Sequence, residues 1–574
     1  MQVLYEEVTQ LPVKPVYYRA PLNGLSLFPL GPGQVKTDDP TIKNIYTILK
    51  KSSGTCRTWE AAFLLECMLY DDPSAVGTVD LIRQTFARQQ ENGELNCPVA
   101  DALSITRAAL RVYEHTNDRG ILKQVSAWCG WCYAHWDEII QCREIRVNPG
   151  ELMELAVKMY LYTGSSGYLQ ICEKLYADAM QWNRILKAFS QRLPFSQTIK
   201  WEELETHLKQ ENGNEGYYDV QHMSAQAEKI ADGLRGVLYN SIFKGALDDS
   251  SAPETAWKRL KKWHGIPCGG TTADDVLEGA APSFSTTAAS LAAWAEAFSA
   301  CSTREHSGWA IDELECLIYN GLKACMQSEN VVTAFRVNQL DSAGGMRACY
   351  HIENDDQDYA VHRLAKAWAA VYMHAVMTTP DGFSVQLYLP GSYTLAVHEQ
   401  ACRIHIDCST GASLQIQTKK PFRGTIRLRK AEWMRNFRVM INGEETTFET
   451  EAEQFAVLNR EWNPGDRIDL QWDRAVYTVE GHHHGIAVFC GADLMSFPVK
   501  EHEEWKYGAA GEPMISDNQV VLPVKVISDW KAENGIPEDI PVFPVSSHHE
   551  EQIQLVRFSE AGERITVFPQ CRNK

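Results

Sequence analysis

The sequence predicts a multidomain α + β protein, a long helical domain followed by an antiparallel β-sandwich. Three observations carry that reading. From about residue 38 to 378, apolar residues recur at three- and four-residue spacing, the period of amphipathic helices. At Asp381 the period falls to two, and compact β-runs alternate with turn signals. The length, 574 residues, exceeds what one ordinary core serves, so two or three domains are expected.

Taken in order, residues 1–37 are rich in Pro and Gly with short apolar runs (PVYYRAPL, LSLFPLGPG). They are expected to form an extended lead-in that packs on a later domain. Residues 38–378 form the helical domain. Helical patterns begin at Trp59 and recur over 79–90, 99–115, 119–137, 150–163, 168–190, 219–244, 287–300, 309–325 and 358–376. Helix stops lie between them, as at Asp72-Pro73, Asn148-Pro149-Gly150 and Thr163-Gly164. So many helices without βαβ alternation mean a bundle, a solenoid or an α/α toroid, and the lack of a fixed repeat weighs against the solenoid. Residues 379–497 form the sandwich, with runs such as FSVQLYLP, CRIHIDC and RIDLQW. Asn442-Gly443 marks a tight hairpin and Asn463-Pro464-Gly465-Asp466 a second turn. Residues 498–574 are a mixed β segment that ends in QIQLVRF and RITVFP.

Composition excludes several function classes. The formal net charge of −19 and the absence of a basic stripe argue against nucleic acid. No apolar run is long enough to span a bilayer, so no membrane partner is expected. The opening MQVLYEEVTQ has neither a basic nor an apolar signal region, and the 16 cysteines read as reduced core thiols of a cytoplasmic protein. Cys129-Gly-Trp-Cys132 lacks a second pair at zinc-site spacing. There is no phosphate loop, HExxH or GxSxG, and no cofactor is expected. His482 to His484 are consecutive, so on a strand they alternate faces and do not converge on one ion.

The chemistry is expected at the seam, from Gly269 to Tyr388. Asp274, Asp275 and Glu278 follow a Gly-Gly-Thr-Thr turn, and Glu353, Asp355, Asp356 and Asp358 precede the helix that ends near 376. Acids beside a helix start ordinarily cap it or complement its dipole. Two such clusters flanking one seam also match what glycoside hydrolysis needs. One carboxyl protonates the leaving oxygen, and one carboxylate attacks or activates water. Most of the 16 Trp sit at core spacing and need no sugar to explain them.

Motifs spread along the chain resemble glycoside hydrolase family 127, the β-L-arabinofuranosidase family. They include Trp59-Glu60-Ala61, QQENGEL (89–95), the helix from Glu151 through Tyr160 to Thr163-Gly164, and ECLIYN (315–320). VNQL (337–340), DGFSVQLYLPG, PFRGTIRLRK, REWNPGDRIDLQW and VRFSEAGERITVFP follow in the family's order. The resemblance implies an (α/α)₆ barrel followed by β-sandwich modules. It also implies a carbohydrate ligand and a general acid in the loop after Gly269-Gly270. On that basis Glu278, Asp275 and Asp358 are the expected catalytic carboxyls. Trp59, Glu60, Asp232, Asp356 and Tyr359 are expected to line the sugar site. The assembly state stays open, with a homodimer among the options.

The departures from the family are chemical. The family holds zinc with a Glu, a Cys two residues on and a later Cys-Cys pair, one of which attacks the sugar. Here the first segment falls on Ser285 to Ala289 and the pair on Tyr359-Ala360. A family histidine falls near Asp232, and a second histidine motif falls near 100–108, which has none. Zinc needs thiolate, imidazole or carboxylate ligands, so no metal is expected. The leading expectation is a metal-independent glycoside hydrolase acting on a non-reducing-end sugar, an arabinofuranoside or a related oligosaccharide. The alternatives are a carbohydrate-binding barrel without catalysis and an α/α-barrel polysaccharide lyase, for which Arg347, Tyr350 and His351 are the candidate residues.

Overall fold

The computed structural model describes residues 27–52, 54–69, 75–187, 189, 192, 225–244, 251–273, 276–282, 284–304, 307–326, 330–338, 354–398, 400–408, 411–451, 455–499, 507–526 and 550–570. Its first part is helical. The main helices are α1 (Pro40–Lys51), α2 (Trp59–Met68), α3 (Ala75–Phe86), α4 (Val99–Thr116), α5 (Arg119–Ala134), α6 (Pro149–Thr163) and α7 (Gly167–Asp178). They continue with α8 (Trp182–Lys187), α9 (Ala227–Lys244), α10 (Ala252–His264), α11 (Ala288–Cys301), α12 (Gly308–Tyr319) and α13 (Asn354–Ala375). Helices α1 and α10 were not anticipated. The basic run in α10 hides a narrow apolar face of Ala256, Trp257 and Leu260.

Local chemistry sets the helix ends. Asp39 caps α1, accepting from the backbone N–H of Thr41 at 2.7 Å, with Pro40 at the first helical position. Pro149 opens α6 and Gly164 closes it in the left-handed region at φ 74°.

The helices close into a ring. α2 packs on α4, α4 on α6, α6 on α9, α9 on α11, α11 on α13, and α13 on α2. Helices α3, α5, α7, α10, α12 and α1 each pack against the outside of an inner one. This is the (α/α)₆ arrangement. α11 is buried all round (Leu291, Trp294 and Phe298 are fully enclosed), which fits its nearly uniform apolarity. Cys129 and Cys132 are buried core thiols, and burial pushes Cys129 up to about 12.

The switch to strands comes at Val376, directly after α13, earlier than the expected Asp381. Asp381 instead forms the tight turn between Val376–Thr379 and Gly382–Val385. Two sheets make the sandwich. The first runs Phe28–Pro29, Val376–Thr379, Gly382–Val385, Phe422–Arg429, Phe455–Trp462, Glu449–Glu451. The second runs Glu444–Thr446, Met434–Ile441, Arg467–Arg474, Ala412–Thr418, Gln400–Asp407, Gly391–Val397, Val35–Lys36. The lead-in thus adds a strand to each sheet. One pair, Gly382–Val385 with Phe422–Arg429, is parallel, and the other pairs of these two sheets are antiparallel. Asn442 and Gly443 both take positive φ, as the two-residue hairpin requires.

A third sheet begins at Val476, inside the segment expected as one sandwich, and runs to Phe568. The histidine run forms a short turn between Val476–Glu480 and Ile486–Cys490, with His484 against Glu480. Two asparagines of the family-like motifs tie this sheet to the helices. Asn320 bonds the Ala492 carbonyl at 3.0 Å and the Leu494 N–H at 2.8 Å. Asn338 accepts from Thr566 and Val567 and donates to the Val567 carbonyl. Among the described residues, no helix is long and apolar enough to cross a membrane.

Candidate functional site: a charged barrel axis

Every inner helix of the ring sends at least one charged side chain to the axis. α2 gives Glu60; α4 gives Arg107, Arg111 and Glu114; α6 gives Glu151, Glu154 and Lys158. α9 gives Glu228, Asp232 and Arg235, α11 gives Glu296, and α13 gives Arg363 and Lys366. Within each helix the charges stand three or four residues apart, so they share one face.

The groups interlock. Arg107 reaches Glu60 at 3.2 Å and Glu151 at 2.5 Å. Arg111 joins Glu60 at 3.1 Å to Glu114 at 3.0 Å. Arg235 bridges Asp232 at 3.1 Å and Glu296 at 3.1 Å. Arg363 meets the same Asp232 at 3.2 Å, and Lys366 binds Glu151 at 2.7 Å and Glu296 at 3.2 Å. Tyr162 donates to Glu114 at 2.6 Å, and Tyr359 donates to Glu228.

Electrostatics fix the protonation states. Burial pushes the Glu60 carboxyl up, but Arg107, Lys366 and Arg111 outweigh it and hold it down to about 2. The same contest leaves Glu151 well below the carboxylate range through Arg107, Lys366 and Arg235. Asp232 is held down by Arg363 and Arg235. His362, between Arg363 and its neighbours on α13, is pushed down to about 4 by burial, then by Lys366 and Arg363, so it is neutral at physiological pH. The axis is therefore a lattice of ionised carboxylates and cations.

Solvent reaches described side chains of this lattice. One is Glu151, whose side chain is 25% exposed. Tyr359 is exposed although burial raises its phenol well above the usual value. Carboxylate acceptors and guanidinium donors set side by side suit a ligand with many hydroxyls, each of which both donates and accepts.

The expected sugar-site residues divide accordingly. Glu60 and Asp232 lie in the lattice, and Tyr359 stands at its edge on Glu228. Trp59 opens α2 and packs half-buried against the core under α2, α4 and α5. Asp275 and Asp356 lie outside the residues whose side chains are described, as do Arg347, Cys349, Tyr350 and His351.

Glu278 sits in a compact loop rather than at a helix start. Gly269 and Gly270 turn the chain at φ 95° and 74°, and a Cβ on Gly269 would stand 2.8 Å from Leu317 Cα. The Thr272 hydroxyl then donates to the Gly279 carbonyl at 2.7 Å and accepts the Glu278 N–H at 3.1 Å. Glu278 is buried, as are Val276 and Leu277, which precede it in the chain. Asp358 is exposed, and α13 starts at Asn354, so Asp358 lies beyond the first turn where the dipole acts. The reading of Asp358 as a helix-start acid is corrected to that extent.

The lattice residues Arg107, Arg111, Glu151, Glu154, Arg235, Glu296, Arg363 and Lys366 were not singled out beforehand. Their signal is a charge on the apolar stripe of a helix, clearest for Glu296 in AASLAAWAEAFSAC. A buried charge is tolerated only when paired, so several such helices imply a shared site.

The positions aligned with the family's zinc ligands do not fit zinc. Thr287 caps α11 by accepting from Ser290 N–H, and Thr286 donates to the Thr271 carbonyl. Tyr359 is bound to Glu228, and Asp232 to two arginines. Among the described residues no three His, Cys, Asp or Glu side chains gather as a metal site.

Comparison with known proteins meets this geometry. Residues 382–474 match the family model "Beta-L-arabinofuranosidase, GH127 middle domain". No curated protein matches the chain. Among solved structures, a GH127 β-L-arabinofuranosidase from Geobacillus stearothermophilus T6 superposes with TM-score 0.63 at 15% identity, over 92% of both chains. A structure described as a glycoside hydrolase gives 0.70 at 12% identity, over 96% of this chain and all of the other. A GH127 β-arabinofuranosidase gives 0.55 at 12%, over 95% and 98%. The resemblance read from the sequence is thus borne out, and the helical barrel with its β-sandwich is the fold of these proteins.

Proposed function

We propose that this protein is a glycoside hydrolase acting on a non-reducing-end sugar, an arabinofuranoside or a related oligosaccharide, by a metal-independent carboxylate mechanism. The observation that carries the proposal is the charged barrel axis, where solvent reaches Glu151, inside a fold shared with β-L-arabinofuranosidases. Lattice carboxylates held this low are weak bases and poor proton donors, so their role is to grip hydroxyls. Proton transfer is assigned to the rim, with Glu278 or Asp275 as the general acid and Asp358 as the opposing carboxylate. Glu60, Asp232, Asp356 and Tyr359 contact the sugar, and Trp59 supports the helix that carries Glu60.

One observation favours a second reading, a barrel that binds a sugar without cleaving it. Each lattice carboxylate with a resolved shift is displaced downward, whereas a hydrolase needs one carboxyl displaced upward. The experiment is a hydrolysis screen on aryl glycosides, arabinofuranosides first, with calorimetric binding of the free sugars in parallel. Turnover supports the first reading. Binding without turnover supports the second, and the absence of both turnover and binding overturns both readings.

A further inference from the structure

Helix α10 carries a second surface, opposite its buried face of Ala256, Trp257 and Leu260. Lys258, Arg259, Lys262 and Trp263 follow one another there at helical spacing. With Phe189 and Arg192, beyond the end of α8, they surround a cavity of about 580 Å³. That size lies within the range of small-ligand sites, roughly 300–1,000 Å³.

The charge around this cavity runs against the chain as a whole, whose net charge is −19. Four cations line it. Among the described residues, the carboxylate paired with any of them is Glu254, at 2.6 Å from Lys258, whose side chain is 71% exposed. An exposed pair of that kind neutralises little. Arg259 is anchored by donating to the Lys187 carbonyl at the end of α8. Arg192 and Lys262 both lie over the Trp263 ring, with centroid distances of 5.5 and 5.0 Å. These cation–π contacts keep the two cations at the wall of the cavity. Like charges gathered on one concavity repel each other, and the field they focus there attracts an anion.

We propose that this cavity is an anion-binding site, separate from the barrel axis, for a sugar or sugar ester bearing carboxylate, sulfate or phosphate. The cations would take the anionic group, and Trp263 and Phe189 would pack on the ring that carries it. The inference stands apart from any hydrolysis at the axis, where anions and cations already compensate each other.

The test is calorimetric titration of the full chain with three probes: a uronate trisaccharide, a sulfated disaccharide and glucose 6-phosphate. Which probe binds most tightly identifies the anionic group. At least one is expected to bind at low salt and to weaken at ~0.15 M salt. The pair Arg192→Ala and Lys262→Ala together should weaken that binding about tenfold or more, a shift well resolved by the method. Lys262→Arg should retain most of it. Failure of all three probes at low salt, or equal affinity in the double variant, overturns the proposal.

Discussion

The indole N–H of Trp433, in the β-sandwich, donates to the carboxylate of Glu315 on α12 at 2.8 Å, across the seam between helices and sheets. One turn earlier on α12, Asp312 meets the buried guanidinium of Arg429. Glu315 itself is 7% exposed. Burial pushes its carboxyl up to about 7, against the pull of the Trp433 hydrogen bond and of Arg429; Asp312 and Asp493 push the same way as burial.

This pair makes domain docking pH-dependent. Below the ordinary carboxyl value of 4.5, Glu315 is protonated whether the chain is folded or not, and docking contributes in full. As pH rises toward 7, the unfolded chain ionises first and the folded one resists, so stability is lost over that window. Glu315→Gln keeps the shape and the acceptor but cannot ionise. It should match the parent near pH 5 and exceed it by about 1–3 kcal/mol near pH 8. Denaturant unfolding at the two pH values measures this, and equal pH slopes for both proteins would refute it.

The axis lattice predicts an asymmetric response to neutralisation. Asp232→Asn removes the carboxylate that Arg235 and Arg363 share, leaves these buried cations under-compensated by Glu296, Glu151 and Glu228, and should cost about 3 kcal/mol. Adding Arg363→Met removes one of the two under-compensated cations, so the double variant should recover part of that loss. Thermal or denaturant unfolding reads both. A double variant as unstable as the sum of its single variants would mean that the two side chains are not coupled.

Zinc content tests the register of the resemblance. Thr286, Thr287, Tyr359 and Asp232 offer no thiolate or imidazole, and their polar atoms are already engaged. Purified protein should carry well below about one equivalent of tightly held zinc, because such a site lacks soft ligands. Stoichiometric zinc would shift the alignment and bring Cys349 or Cys268 forward as the sulfur ligand.

Much of the fold was legible because helical and strand periods are local. The helices from α2 to α6 stand within a few residues of their apolar patterns, the one pattern over 168–190 divides into α7 and α8, and Asn442-Gly443 forms the hairpin that its residues require. The ring closure was not local, since the contact of α13 with α2 joins residues about three hundred apart in sequence. The third sheet was hidden for the same reason, because Val476–Glu480 looks like one more sandwich strand until its partner is known. In the site, Glu60 and Asp232 were reached through the resemblance, whereas Arg363, Lys366 and Glu296 were passed over as helix charges. Pairing across helices makes such charges a site, and a single helix sequence does not show its partners.

The last prediction concerns the rim carboxyls. Glu278 is buried in a loop held by Thr272, and its chain neighbour Leu277 is buried with it. Asp358 is exposed on α13, one residue from Tyr359, whose phenol reaches Glu228 at the edge of the lattice. Under the hydrolase reading the two have separable signatures. Glu278→Gln should lower kcat by about 10²-fold for poor leaving groups and much less for activated aryl groups, which need little protonation. Asp358→Asn should lower turnover by about 10² for both kinds of substrate, since attack or water activation is needed in each. Glu151→Gln should act chiefly on KM, because its carboxylate grips the sugar before and during reaction alike. Steady-state kinetics with a matched pair of substrates separates the three. Wild-type rates in both Glu278→Gln and Asp358→Asn would remove the rim from the mechanism, and Tyr359 would be the next residue to test.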